Sequence, residues 1–68
     1  MDNPDRYVGH IVSLERHLFQ RLVERASRLP VIPDNRFIVA QASRRLHKLV
    51  CYNADWRVTV DVSDVALV

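Results

Sequence analysis

One cysteine, Cys51, stands in the 68 residues, so no internal disulfide framework can staple the chain. A single thiol fits a reducing compartment, and the expected location is the cytoplasm. The chain has one glycine, Gly9, so hairpin turns built on glycine are absent. No apolar run approaches the ~18 residues that cross a membrane. The opening Met1-Asp2-Asn3-Pro4-Asp5 is acidic and has no apolar stretch, so no secretory signal is expected. There is no glycine-rich phosphate loop and no paired-carboxylate motif. No family motif is met.

Apolar residues make up 49% of the chain, which argues against disorder. A chain this short hides only about 60% of its unfolded surface. Below roughly 70–80 residues such a core needs a disulfide, a metal or a partner subunit. With disulfides excluded, a second copy of the chain is the expected support, and residues 1–68 form one small domain.

The net charge is +2 but unevenly spread. From Arg6 to Lys48, nine cations face only Glu15, Glu24 and Asp34. The ends carry Asp2, Asp5, Asp55, Asp61 and Asp64 against Arg57. A basic middle between acidic ends suits a polyanionic partner. Nine of the ten basic residues are arginine, which binds phosphate bidentately and stacks on bases.

Periodicity predicts a mainly α fold. A first helix is expected from about Pro4 to Leu29, with Asn3 as N-cap, Pro4 in the first turn and Pro30 as the stop. Tyr7, Ile11, Leu14, Leu18, Leu22 and Leu29 form one apolar stripe at helical spacing. Val8, Val12, Phe19, Val23 and Ala26 widen it to about half the circumference, more than one neighbour can cover. Val31 and Ile32, held between Pro30 and Pro33, are expected to close the end of the core. A second helix is expected from about Asn35 to Tyr52, capped by Asp34 and ended by Asn53. Its stripe is Ile38, Val39, Ala42, Leu46, Leu49 and Val50. The short connection makes an antiparallel helical hairpin.

The period then changes. Trp56, Val58, Val60 and Val62 alternate with polar residues, a strand signal over about 56–62. A lone strand needs a partner edge. Pairing with the same strand of a second subunit is one answer, and a strand supplied by a larger protein is the other. The expected assembly is a homodimer, a four-helix arrangement with an interface of Ile11, Leu14, Leu18, Leu22, Trp56, Val58 and Val60.

Catalysis finds little support. His10 and His17 lie seven apart and cannot share a metal unaided, and His47 with Cys51 lacks a third ligand. Glu15 is expected inside the apolar arc, where a carboxylate needs a partner such as Arg45. No cofactor, no metal and no enzymatic activity are expected.

The polar stripe of the first helix carries the functional expectation. Arg6, His10, Ser13, His17, Arg21 and Arg28 share a narrow band, about 33 Å long as α-helix. Such a rod can follow a duplex through phosphate contacts without reading bases. Arg44, Arg45 and Lys48 would form a second contact zone. The leading expectation is sequence-independent binding of duplex nucleic acid, RNA ahead of DNA. The alternative is a small regulatory module, an inhibitor or adaptor of phage, viral or bacterial origin, that binds a larger protein through the tail strand or the arginine face. No membrane partner is expected.

Overall fold

A computed structural model describes residues 3–25 and 34–68. It overturns the helical hairpin and the four-helix assembly built on it. The chain is mostly β. A 3-10 turn at Pro4–Tyr7 leads to β1 (Ile11–Leu14) and to α1 (Arg16–Arg25), the single α-helix among the described residues. Then come β2 (Phe37–Ser43), β3 (Lys48–Asn53), β4 (Trp56–Asp61), a second 3-10 turn at Val62–Asp64, and β5 (Val65–Leu67). The five strands form one antiparallel sheet in the order β4-β3-β2-β1-β5.

The expected helix over 35–52 is instead the β2–β3 hairpin. Phe37 and Val39 point into the core while Ile38 and Ala40 point out. That is the period of two of a strand with one wet face. A β-bulge between Val39 and Gln41 then shifts the register, so Ala42, opposite Leu49, faces the core. The inserted residue puts the core-facing Val39 and Ala42 three positions apart, a helical spacing in place of the strand's two. This is why the segment resembles an amphipathic helix. Asn53 does not end a helix; it is a buried strand residue whose Nδ2 donates to the carbonyl of Asp34 at 2.8 Å. Asp34 accepts that bond instead of capping a second helix.

Hairpins form without glycine because two other residues take the left-handed conformation. His47 has φ 53° in the β2–β3 turn and Ala54 has φ 51° in the β3–β4 turn. Each pays a steric cost of roughly 1–2 kcal/mol.

The expected helix over 4–29 divides into three elements. Asn3 does cap at its start: its side chain accepts from the Asp5 N–H at 3.0 Å, but the turn is 3-10 and ends at Tyr7. Gly9 is not helical. Its φ of 83° bends the chain so that its N–H donates to Val39 at 2.8 Å and His10 accepts from Val39 at 3.0 Å. Space around Gly9 is open, so conformation alone requires glycine there. Glu15 sits on the surface, not in an apolar arc. Its Oε2 accepts from the N–H groups of His17 and Leu18 at 3.0 and 3.2 Å, capping α1. From α1, Leu18, Phe19 and Leu22 pack on the core, and Phe19 meets Phe37 edge-on at 6.3 Å. Arg28, Leu29, Pro30, Val31, Ile32 and Pro33 lie outside the described residues.

Three residues, Val62–Asp64, carry the chain from one edge strand to the opposite edge strand. Laid flat, five strands would hold those edges about 19 Å apart, at roughly 4.8 Å per strand. A 3-10 segment rises only ~2 Å per residue. The sheet must therefore curl around its inner face. Val12, Phe37, Val39, Leu49 and Cys51 are fully buried inside it, with Tyr7, Leu14, Val58, Val60 and Val62 around them. Backbone bonds from Glu15 to Asp64 (2.7 Å) and from Val62 to His47 (2.9 Å) hold the second 3-10 turn in place. The tail strand expected at 56–62 is present as β4, but Val62 has left it, and β3 of the same chain pairs with one of its edges. Among the described residues no helix is long and apolar enough to cross a membrane.

Candidate functional site

Curling buries the inner face of the sheet and leaves the outer face to solvent. The register defines a row across that face: Ile11 lies opposite Ile38, Ile38 opposite Tyr52, and Tyr52 opposite Arg57. Beyond Ile11, the N–H of Val68 donates to the Ile11 carbonyl at 3.1 Å, adding Val68 to the row. Directly opposed residues on neighbouring strands share a face and touch. The row therefore runs Val68–Ile11–Ile38–Tyr52–Arg57 without a break. Its apolar members are 71%, 48%, 50% and 38% exposed. Single exposed apolar residues are ordinary, but a contiguous band marks an interaction surface.

The surroundings of the row are small or polar. Ser13 and Ala66 oppose each other on one side; Gln41, Val50 and Thr59 form a row on the other. Beyond these, Ser43, Lys48 and Asp61 align, with Lys48 Nζ 3.7 Å from Asp61. Asp61 is the one carboxylate among the described outward-facing strand residues, and it is engaged. It accepts from the N–H and hydroxyl of Ser63 at 3.0 and 2.9 Å, and the Ser63 N–H is the main cause holding its carboxyl below the usual range. Arg57 stands exposed at the end of the row, and Arg36, two residues before Ile38, is exposed as well. The face is apolar with a positive margin.

The residues expected to bind nucleic acid do not form one stripe. Arg6 lies in the first 3-10 turn over the Tyr7 ring, His10 in the bend before β1, and Ser13 on the outer face. Among the described members of the set only His17 and Arg21 remain on a helix, joined there by Arg16 and Arg25 against Glu24. His17 Nδ1 is 3.2 Å from Glu15, whose carboxyl is held low chiefly by the His17 N–H. Arg44 and Arg45 lie in the β2–β3 turn, and Arg44 pairs with Asp5 at 3.1 Å. Lys48 pairs with Asp61. A ten-residue helix spans only about 15 Å, so the 33 Å rod is not there.

The expected dimer-interface residues also separate. Leu14, Val58 and Val60 belong to the chain's own core, and Leu18, Leu22 and Trp56 pack against it half-buried. Ile11 alone of that set is largely exposed. Sequence reasoning missed Ile38, Tyr52, Arg57 and Val68 as one surface. The alternation Leu49-Val50-Cys51-Tyr52-Asn53 was the available signal, hidden by a helical interpretation of the same span.

His47 and Cys51 do not meet as a helical pair: His47 is an exposed turn residue and Cys51 is buried on β3. Burial pushes the Cys51 thiol up to about 11, so it is protonated and unreactive near neutrality. Among the described residues no three His, Cys, Asp or Glu side chains gather as metal ligands. No protein-family model, curated protein or solved structure matches the chain.

Proposed function

We propose that the chain is a small non-enzymatic protein-interaction module, a regulatory adaptor or inhibitor, that docks a larger protein on the outer face of its sheet. The carrying observation is the unbroken exposed row Val68–Ile11–Ile38–Tyr52 with Arg57 at its end. Aliphatic side chains dominate it, and they give bases no surface to stack on, in contrast to the aromatic platforms of single-strand binders. They do match an apolar strip on another protein. Arg57 and Arg36 favour carboxylates at the border of that strip, so the partner is an apolar surface with an acidic rim. In this reading the module works in the cytoplasm, supported by its single free thiol.

Duplex nucleic acid remains a second reading on one observation. The solvent side of α1 carries Arg16, Arg21 and Arg25 against Glu24. The two readings use different surfaces. Capture from the native cell extract with wild-type protein, followed by reconstitution with the purified partner, tests the first. Ile38→Asp should abolish that complex and Arg21→Ala should leave it intact. Random duplex RNA at about 50 mM salt tests the second, because phosphate binding is strongest at low salt. Salt-dependent RNA binding lost with Arg21→Ala and untouched by Ile38→Asp would support the second reading, and a protein complex that survives Ile38→Asp would overturn the docking reading.

A further inference from the structure

Among the described residues β4 is an edge strand, and the edge it turns away from β3 is self-complementary. The N–H of Val62 donates to the carbonyl of His47 on the β3 side. Bonded and non-bonded pairs alternate along an antiparallel ladder. With Leu49 opposite Val60 and Cys51 opposite Val58, the even-numbered residues of β4 turn their backbone groups toward β3. Arg57, Thr59 and Asp61 turn theirs away, and no described strand lies on that side. An unpaired edge of this kind is a template for another strand.

We propose that the occupant is β4 of a second copy, paired antiparallel with Thr59 opposite Thr59 on a two-fold axis. This register sets Arg57 opposite Asp61 twice and Val58 opposite Val60 twice. Opposite charges in directly facing cross-strand positions attract, and like charges repel. Sliding one strand by two residues leaves Arg57 or Asp61 facing Thr59. Sliding by four sets Arg57 against Arg57 or Asp61 against Asp61. Only the register centred on Thr59 matches both charges. It also preserves the alternation, because every backbone group that points outward meets another that points outward. Asp61 Oδ1 accepts from Ser63, and Oδ2 lies 3.7 Å from Lys48 Nζ.

The result is a continuous ten-stranded sheet. Closed two-fold pairing is the commonest oligomer and leaves no β4 edge for aggregation. β5, the other edge, offers Val65, Ala66 and Leu67 and has no charge to match Arg57 or Asp61. The charge pattern thus favours β4 with β4 over β4 with β5. This assembly does not rest on the docking reading, since it is argued from the backbone edge of β4 and its charge register; Arg57 is the one residue common to both surfaces.

Sedimentation equilibrium of the full chain, with two variants at Thr59, tests the pairing. The wild type should be dimeric at micromolar concentration. Thr59→Pro removes an N–H that faces away from β3, a change that edge strands tolerate. It should give a folded monomer with an unchanged circular dichroism spectrum. Arg57→Asp should weaken the dimer about tenfold or more by placing two carboxylates together. Thr59→Cys gives a readout independent of the proline variant. A bonded antiparallel pair holds its Cα atoms about 5.5 Å apart, within the roughly 4.4–6.8 Å that a disulfide spans. Mild oxidation should link Thr59→Cys into a covalent dimer and leave Arg57→Cys unlinked. A monomeric wild type at hundreds of micromolar, a larger ring, or efficient linking at Arg57→Cys but not at Thr59→Cys would overturn the proposal.

Discussion

Adjacent residues Ile38 and Val39 separate the sheet from a helix by their unequal cost on truncation. Val39 is 1% exposed and Ile38 is 50% exposed. Val39→Ala removes two methyl groups from the core, about 1.6 kcal/mol at roughly 0.8 kcal/mol per group. The space left adds about 1 kcal/mol at ~24 cal/mol per Å3 of unfilled cavity. The expected loss is therefore about 2–3 kcal/mol. Ile38→Ala removes more atoms, but half of that surface is already wet, so the expected loss is below ~1 kcal/mol. A domain of this size has a total stability of about 3–10 kcal/mol, so the Val39 variant forfeits a large part of it. At roughly 4–8 °C per kcal/mol, thermal melts should fall by about 10–20 °C for Val39→Ala and by a few degrees for Ile38→Ala. Circular dichroism melts at one fixed protein concentration read both, because assembly makes the midpoint concentration-dependent. On a helical stripe the two residues share one apolar face and would lose similar amounts. Equal losses, or a larger loss at Ile38, would refute the register described for β2.

Further expectations follow from individual residues. Ala54→Gly relieves a left-handed alanine and should raise stability by up to about 1 kcal/mol in denaturant titration; a loss there would mean the β3–β4 turn is differently built. The Glu15 carboxyl is held low by the His17 and Leu18 N–H groups. A lowered folded pKa stabilises above the unfolded value of 4.5 and that contribution fades as pH falls through the folded one. Stability should thus decline on acidification below about 4.5, with a shallower decline in Glu15→Gln; identical pH profiles would remove the capping role. The Cys51 thiol, buried and pushed up to about 11, should resist thiol reagents at pH 8 until the protein is unfolded; prompt labelling of the native protein would contradict its place in the core.

Local chemistry was more legible in the sequence than architecture. Asn3 was identifiable as a cap, Trp56–Asp61 as a strand, and Leu18, Phe19 and Leu22 as one helix face, because each depends on neighbours along the chain. The heptad spacing of Tyr7 and Leu14 was misleading. Both are buried, but one lies in a 3-10 turn and the other on a strand, with the left-handed Gly9 between them. The β2–β3 hairpin was concealed twice, by a bulge that imitates helical spacing and by turns that use His47 and Ala54 where glycine is usual. Alternation could flag single outward residues such as Tyr52, but no linear pattern could join the row. Its members come from four strands and the residue after β5, and only the register brings Ile11, Ile38 and Tyr52 together. The arginines were countable, but their grouping depended on a long helix that the chain does not form.

Titration calorimetry of the purified partner against wild-type protein and Ile38→Asp tests the docking face most directly. Ile38 is half-exposed, so the variant should keep the wild-type circular dichroism spectrum. The account predicts that binding falls at least about 30-fold, the loss expected when the centre of an apolar interface takes a charge worth 2 kcal/mol or more. Undiminished affinity in a folded Ile38→Asp protein would contradict it.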